Sequence, residues 1–305
     1  MIDVIITAYN AHETIRKSLM SIQIQYIKDK IKVYIIDDAS DKPYNYLLDE
    51  FKDLDITLYR LEKNSGPGVA RNKGLELSNS EYIMFLDADD MFINEYSIRT
   101  LYELMKDNDL VVGVVEEELE DGSIFYIDNP DRCLHAKMYR RSIIDKYDIR
   151  FPEIYRHEDC AFHELYFFTN PRTYYINEYV YLYRFNKKSL THNKNGYDEF
   201  LNYKSLIEGT IYSFEKAEKY NLNKHIMEDT LATTLLFLFY EYQLYYNQPY
   251  SYELFEWIKP LVEIYKRFYE YLNEEYLLYY YIDFGNNYRI IPYISWDEFI
   301  DKASK

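Results

Sequence analysis

Tyr82-Ile83-Met84-Phe85-Leu86-Asp87-Ala88-Asp89-Asp90 is the stretch on which the reading of this chain turns. An apolar run this short, stopped at once by carboxylates, predicts a fully buried strand whose end reaches solvent. Upstream the same arrangement recurs. Val4-Ile5-Ile6 stops at Thr7-Ala8-Tyr9-Asn10, and Val33-Tyr34-Ile35-Ile36 stops at Asp37-Asp38-Ala39-Ser40. Ile56-Thr57-Leu58-Tyr59-Arg60 reads as one more strand. Helical spacing fills the gaps: Ile15, Leu19 and Ile22 in a helix over 12–27, then helices over 43–52 and 68–78. Strand and helix alternating in this rhythm predict an α/β fold, a mainly parallel sheet with helices on both faces. Ligands of such sheets bind outside the carboxyl ends of the strands, where all three polar clusters fall.

Further along, Leu110 to Val115 and Ser123 to Ile127 read as strands around an acidic turn from Glu116 to Gly122. Helices are expected near 142–147 and 158–168, with a strand from Thr173 to Tyr183. From about 198 the pattern turns helical, including a long apolar and aromatic helix near 226–246. The change at Asn193-Lys194-Asn195-Gly196 divides the chain into 1–195 and a helical, Tyr-rich region over 196–305.

Composition narrows the function classes. With 305 residues, 48% of them apolar, the chain can bury a large core. A net charge of −17 disfavours broad electrostatic binding of nucleic acid. Cys133 and Cys160 form no metal-ligand or disulfide framework, which suits a reducing compartment. The opening Met-Ile-Asp-Val-Ile-Ile reads as a strand rather than a signal peptide, and no stretch is apolar enough to span a membrane. A cytoplasmic protein is expected. The 38 Tyr and 17 Phe suit core and interface roles, and the C-terminal helices are a candidate surface for homo-oligomer formation or acceptor binding.

Two motifs carry chemistry. Two carboxylates separated by one residue at a strand end can share a divalent cation, which neutralises charge on a leaving phosphate. An isolated Asp-x-Asp is more often a solvated turn, and its place after a buried strand is what favours the metal. Asn64-Ser65-Gly66-Pro67-Gly68-Val69-Ala70-Arg71-Asn72 is a glycine-containing turn opening a helix, a setting suited to phosphate. It lacks the Gly-x-Gly-x-x-Gly of dinucleotide-binding folds.

In this order and spacing, Thr7-Ala8-Tyr9-Asn10, Asp37-Asp38-Ala39-Ser40, Asn64-x-Gly66-x-Gly68-x-x-Arg71-Asn72 and Asp87-Ala88-Asp89-Asp90 resemble the family-2 glycosyltransferases of the GT-A fold. The likeness continues through His135-Ala136-Lys137-Met138-Tyr139-Arg140-Arg141, Ile149-Arg150-Phe151-Pro152-Glu153 and His157-Glu158-Asp159, covering roughly residues 1–192. The resemblance implies an inverting enzyme that moves a sugar from a nucleotide-sugar donor, a UDP-sugar foremost, to an acceptor hydroxyl. It implies Mn²⁺ or Mg²⁺ as cofactor. Asp38 would meet the base, Thr7, Ala8 and Tyr9 would line the nucleotide pocket, and Arg71 would lie near the diphosphate. Asp87 would contact the ribose or the metal shell, and Asp89 would ligate the metal directly. Asp159 would be the general base, with Glu158 beside it. In Tyr183-Arg184-Phe185-Asn186-Lys187-Lys188-Ser189-Leu190-Thr191-His192, Arg184 would touch diphosphate and His192 would complete the metal shell.

The acceptor stays open: a surface glycan, a teichoic-acid-like polymer, a lipid-linked sugar, a protein or a modified nucleic-acid base. A second class of reading is a carbohydrate- or nucleotide-binding protein that kept the fold without turnover. Asp89 and Asp159, both present, argue against it.

Overall fold

Every expected buried run forms a strand. In the computed structural model, β1 (Ile2–Ala8), β2 (Ile31–Asp37), β3 (Asp55–Arg60) and β4 (Tyr82–Asp87) are joined by α1 (Ile15–Gln23), α2 (Tyr46–Glu50) and α3 (Pro67–Leu77). Residues 1–127, 134–154, 156–187, 196–245, 248–268 and 296–305 are described. The four strands pair in parallel in the order β3-β2-β1-β4. The chain lays β2 and β3 on one side of β1 and then crosses to β4 on the other, so a topological switch point lies between β1 and β4.

The sheet then becomes mixed. β5 (Met91–Phe92), α4 (Ser97–Leu104), β6 (Leu110–Glu118), β7 (Ile124–Ile127), β8 (Lys137–Arg140), α5 (Arg141–Lys146), α6 (Glu158–Phe168) and β9 (Thr173–Tyr183) follow. The order continues β4-β8-β6-β9-β5, with β7 paired to β6. β8 runs antiparallel to both β4 and β6, whereas β9 runs parallel to β6 through a register irregularity near Val114. The mainly parallel sheet expected from the sequence is thus parallel through β3-β2-β1-β4 and mixed beyond it. The acidic turn is also shorter than expected. Glu116, Glu117 and Glu118 are strand residues, because β6 pairs there with β7 on one side and, through Glu117, with β9 on the other.

Side-chain alternation sorts the helices onto the two faces. Val4, Ile6, Met84 and Leu86 join Ile15, Leu19, Ile22, Leu47, Ile98 and Leu101 in one core, on the face covered by α1, α2 and α4. On the other face Gly74 of α3 lies against Ile5, and Phe85 meets Phe151 and Phe162 edge to face. Phe151 and Phe162 stack with ring centroids 4.1 Å apart.

By contact density, one compact unit comprises Met1–Tyr166 with Pro171–His192, and a second comprises Phe167–Asn170 with Asn193–Lys305. In the second, α7 (Gly196–Lys219), α8 (Lys224–Tyr245), α9 (Glu253–Phe268) and α10 (Trp296–Ser304) bury Phe214, Leu235, Ile258 and Phe299. Phe239, Tyr240 and Tyr242 of α8 are buried as well, so these aromatics serve the core. Among the described residues no helix is long and apolar enough to cross a membrane.

Candidate functional site

Parallel register brings the polar clusters to one edge. Thr7 is the backbone partner of Asp87, and Ala8 that of Asp37. Thr7 is half-buried, Ala8 buried and Tyr9 exposed beyond the strand. The loops after β1 and β2 are stitched together: Asn10 N donates to Ser40 Oγ (2.9 Å) and Asp41 N to Asn10 Oδ1 (2.9 Å). Asp37 accepts from Ser40 N (2.8 Å) and pairs with Arg60 (2.8 Å), which leaves the neighbouring Asp38 for another task. Asp38 Oδ1 and Oδ2 accept from the amides of Ser65 (2.7 Å) and Gly66 (2.9 Å). Burial raises the Asp38 carboxyl above its ordinary range, and the two amides oppose that shift. Gly66 has φ +88°, a conformation that favours glycine, and this is how the turn aims two successive N–H groups at one carboxylate.

At the end of β4, Asp87, Asp90 and His135 each offer a ligand atom, all within 4.8 Å of one another. Asp87 Oδ2 lies 3.4 Å from His135 Nε2, and Asp90 Oδ2 lies 3.9 Å from the same nitrogen. Asp90 is buried, accepting from Tyr181 Oη (2.7 Å) and from Arg184 N (2.9 Å). Burial drives its carboxyl well above the ordinary range, reinforced by the charges of Asp87 and Asp89 and opposed by His135. Asp87 goes the other way. Burial resists its ionisation, but Arg71 and then His135 hold it below the ordinary range. Asp89 points elsewhere, taking a bond from Asn186 Nδ2 (2.8 Å), and burial followed by the Asp87 charge raises its carboxyl. Arg184 Nη1 donates to the Asp89 carbonyl (3.3 Å).

Arg71 lies beneath this cluster, 6% exposed. It donates to Asp87 Oδ1 (2.9 Å) and to Glu158 Oε1 (2.5 Å). Burial opposes its charge, but the carboxylates of Asp87, Glu158 and Asp159 outweigh burial and hold it protonated. Glu158 is buried, and burial raises its carboxyl against the pull of Arg71. Asp159, in the first turn of α6, is half-buried and close enough to act on both.

Of the residues singled out in the sequence, Thr7, Ala8, Asp38, Arg71, Asp87, Asp89, Glu158, Asp159 and Arg184 come to this edge, with Tyr9 on its rim. His192 lies outside the described residues. His135 and Tyr181 also come to this edge, although no role follows for either from the sequence alone. His135 stacks on Tyr181 with centroids 4.8 Å apart, just before β8. The run Lys137-Met138-Tyr139-Arg140 has polar ends, and nothing in it marks a central strand or the histidine it carries to the site.

An imidazole and several carboxylates with more negative than positive charge suit a divalent cation such as Mn²⁺, since each carboxylate oxygen keeps a further lone pair beyond the bond it accepts. The donor set therefore fits the cofactor that the sequence implied.

Comparison with known proteins agrees with this geometry. The family described as "Glycosyl transferase family 2" matches residues 3–126. The poly(ribitol-phosphate) beta-N-acetylglucosaminyltransferase TarP of Staphylococcus aureus (strain N315) is 28% identical over 271 residues, 77% of this chain and 79% of that protein. An uncharacterized glycosyltransferase of Haemophilus influenzae is 30% identical over 179 residues, 53% of this chain and 70% of that protein. Several other curated relatives are matched over less than two thirds of their length. Among solved structures, S. aureus TarS 1–349 in complex with UDP-GlcNAc superposes with a TM-score of 0.72 at 17% identity, over 86% of this chain and 80% of that one, and so shares the fold. With strand ends, acidic cluster and relatives in accord, the chain belongs to glycosyl transferase family 2 and is a glycosyltransferase.

Proposed function

We propose that this glycosyltransferase takes its sugar from a UDP-sugar and transfers it with inversion to an acceptor hydroxyl. The observation that carries the reading is the convergence of Asp38, Asp87, Asp90, His135 and Asp159 around the carboxyl ends of β1, β2 and β4. Asp38 keeps lone pairs beyond its two amide bonds and can accept from the imide N–H of a uracil. Thr7, Ala8 and Tyr9 line the same end of β1. Asp87, Asp90 and His135, with Asp89 nearby, would hold Mn²⁺ or Mg²⁺; when bound, the ion supplies positive charge against the departing diphosphate. Arg184, on the same rim, adds a cation on that side.

Asp159 takes the proton of the acceptor hydroxyl as its oxygen bonds to the anomeric carbon. The bond from that carbon to the diphosphate oxygen breaks, and the nucleotide leaves with the electron pair. Attack from the face opposite the nucleotide inverts the anomeric configuration. For the acceptor, the likeness to TarP supports a hydroxyl of a surface glycan or of a polyol-phosphate polymer.

A binding panel of UDP-, GDP-, dTDP- and CDP-sugars, each with Mn²⁺ and with EDTA, tests the reading. Metal-dependent binding of the UDP class alone is expected. Binding of another class alone would overturn the nucleotide assignment, and binding of none would remove the donor reading altogether.

A further inference from the structure

One face of α3 grips the segment that leads into α6. Gly68, Arg71 and Asn72 sit at helical spacings of three and four, so they share that face. A Cβ on Gly68 would stand 2.8 Å from the Pro152 carbonyl oxygen and 3.1 Å from Glu158 Cγ, so only glycine lets the segment approach. Asn72 holds the backbone of Phe151 at both ends, Nδ2 donating to its carbonyl (2.8 Å) and Oδ1 accepting from its amide (2.9 Å). Arg71 completes the grip: its guanidinium spans from Glu158 to Asp87 and lies 5.6 Å from the centroid of the Phe151 ring. The Arg71–Glu158 pair is well shielded, with the Arg71 side chain 8% and the Glu158 side chain 7% exposed, while the Asp87 side chain is 29% exposed.

These contacts use the guanidinium fork on two carboxylates. With two of its N–H groups on these carboxylates and its side chain 8% exposed, Arg71 presents little surface to a donor diphosphate. Meanwhile Glu158 is bonded directly to Asp159, so whatever fixes Glu158 fixes the first turn of α6.

We propose that Arg71 is a positioning residue that acts through Glu158: it holds Asp159 at a set distance from Asp87 and does not bind the donor diphosphate. Asn72 serves the same end through Phe151. The inference rests on Asp159 being the general base. A guanidinium is needed because one planar fork must reach carboxylates on β4 and α6 together, which an ammonium cannot do in the same geometry.

The test compares Arg71→Lys, Glu158→Gln, the double variant, Asn72→Ala and Asp159→Asn. UDP affinity with Mn²⁺ is read by calorimetry, and turnover by UDP release from UDP-N-acetylglucosamine with water as acceptor. Hydrogen exchange of residues 149–168 gives a readout independent of turnover. Arg71→Lys and Glu158→Gln are each expected to lower kcat by about 100-fold, the scale of a misplacement near 1 Å, with the UDP affinity changed less than threefold. The double variant should be no worse than either single one. Asn72→Ala, which touches no carboxylate of the site, should lower kcat with unchanged UDP affinity and raise exchange in 149–168. Weakened UDP binding by Arg71→Lys, with Glu158→Gln turning over normally, would make Arg71 a donor ligand and overturn the proposal. So would unaltered exchange and turnover in Asn72→Ala. Wild-type turnover in Asp159→Asn would instead remove the base assignment, a separate failure.

Discussion

The phenol of Tyr181 donates to Asp90 Oδ2 across 2.7 Å, and both side chains are buried. Asp90 is thus oriented from β9 while being carried by the loop after β4, and its second oxygen is fixed by the amide of Arg184. Tyr181→Phe removes one of these donors. It is expected to lower stability by about 1–3 kcal/mol, the range for leaving a buried acceptor without its donor. Mn²⁺ affinity should fall about tenfold, as when the partner of a metal ligand is lost. Manganese titration followed by calorimetry checks both Asp90 and its orientation; an unchanged affinity would take Asp90 out of the ligand set.

His135 lends the acidic cluster its imidazole. His135→Asn should keep the fold and weaken Mn²⁺ binding at least tenfold while Mg²⁺ binding changes less, because imidazole favours the transition metal. Equal loss for the two ions would mean that His135 acts by orienting Asp87 rather than by ligation. Asp89→Ala separates the remaining carboxylate: loss of metal-dependent UDP binding would place Asp89 on the ion, and retention would leave it to Asn186.

Asp159→Asn is expected to bind UDP with Mn²⁺ as the wild type does and to transfer about 10²–10⁴-fold more slowly, the usual contribution of a general base. Single-turnover transfer with a saturating donor distinguishes this from a binding defect. A wild-type rate would move the base elsewhere.

Much of this site could be read from the chain, and the reason is local. At β1, β2 and β4 an apolar run passes directly into polar residues, so one short stretch reports both the buried strand and the group at its exposed end. His135, Tyr181 and the clasp between Arg71 and Glu158 depend instead on pairings between distant segments. Tyr181 reaches Asp90 from 91 residues away, and Arg71 reaches Glu158 across 87. β8 illustrates the difficulty best: its Lys137 is a residue type seldom found inside, yet it is 1% exposed.

His163 gives the fold a pH dependence. Burial holds it neutral, with the Lys137 charge acting in the same direction, so its folded pKa lies well below the ordinary histidine value. Between the two values the unfolded chain binds more protons than the folded one. Stability therefore rises with pH there and falls on acidification below about 6.5, by up to about 1.4 kcal/mol per pH unit. Thermal unfolding at pH 7.5 and 5.5 should show a larger fall for the wild type than for His163→Gln. Equal falls would mean that His163 protonates freely within the fold.

Gly68→Ala should destabilise by about 1–3 kcal/mol, since its Cβ would overlap the carbonyl oxygen of Pro152, a backbone atom that cannot swing aside. Urea unfolding gives the number; a neutral substitution would show that α3 can slide away from the segment before α6.

The pairing of Thr7 with Asp87 and of Ala8 with Asp37 also limits how such a protein can change over generations. Adding or deleting one residue within β1 would shift Thr7 by about 3.3 Å and turn its side chain to the opposite face of the sheet. Every group past that point would be displaced from its neighbours on β2 and β4 at once. Insertions and deletions are therefore tolerable only beyond the strand ends, and a new sugar or acceptor preference must come from substitutions or from loops grown outside the sheet.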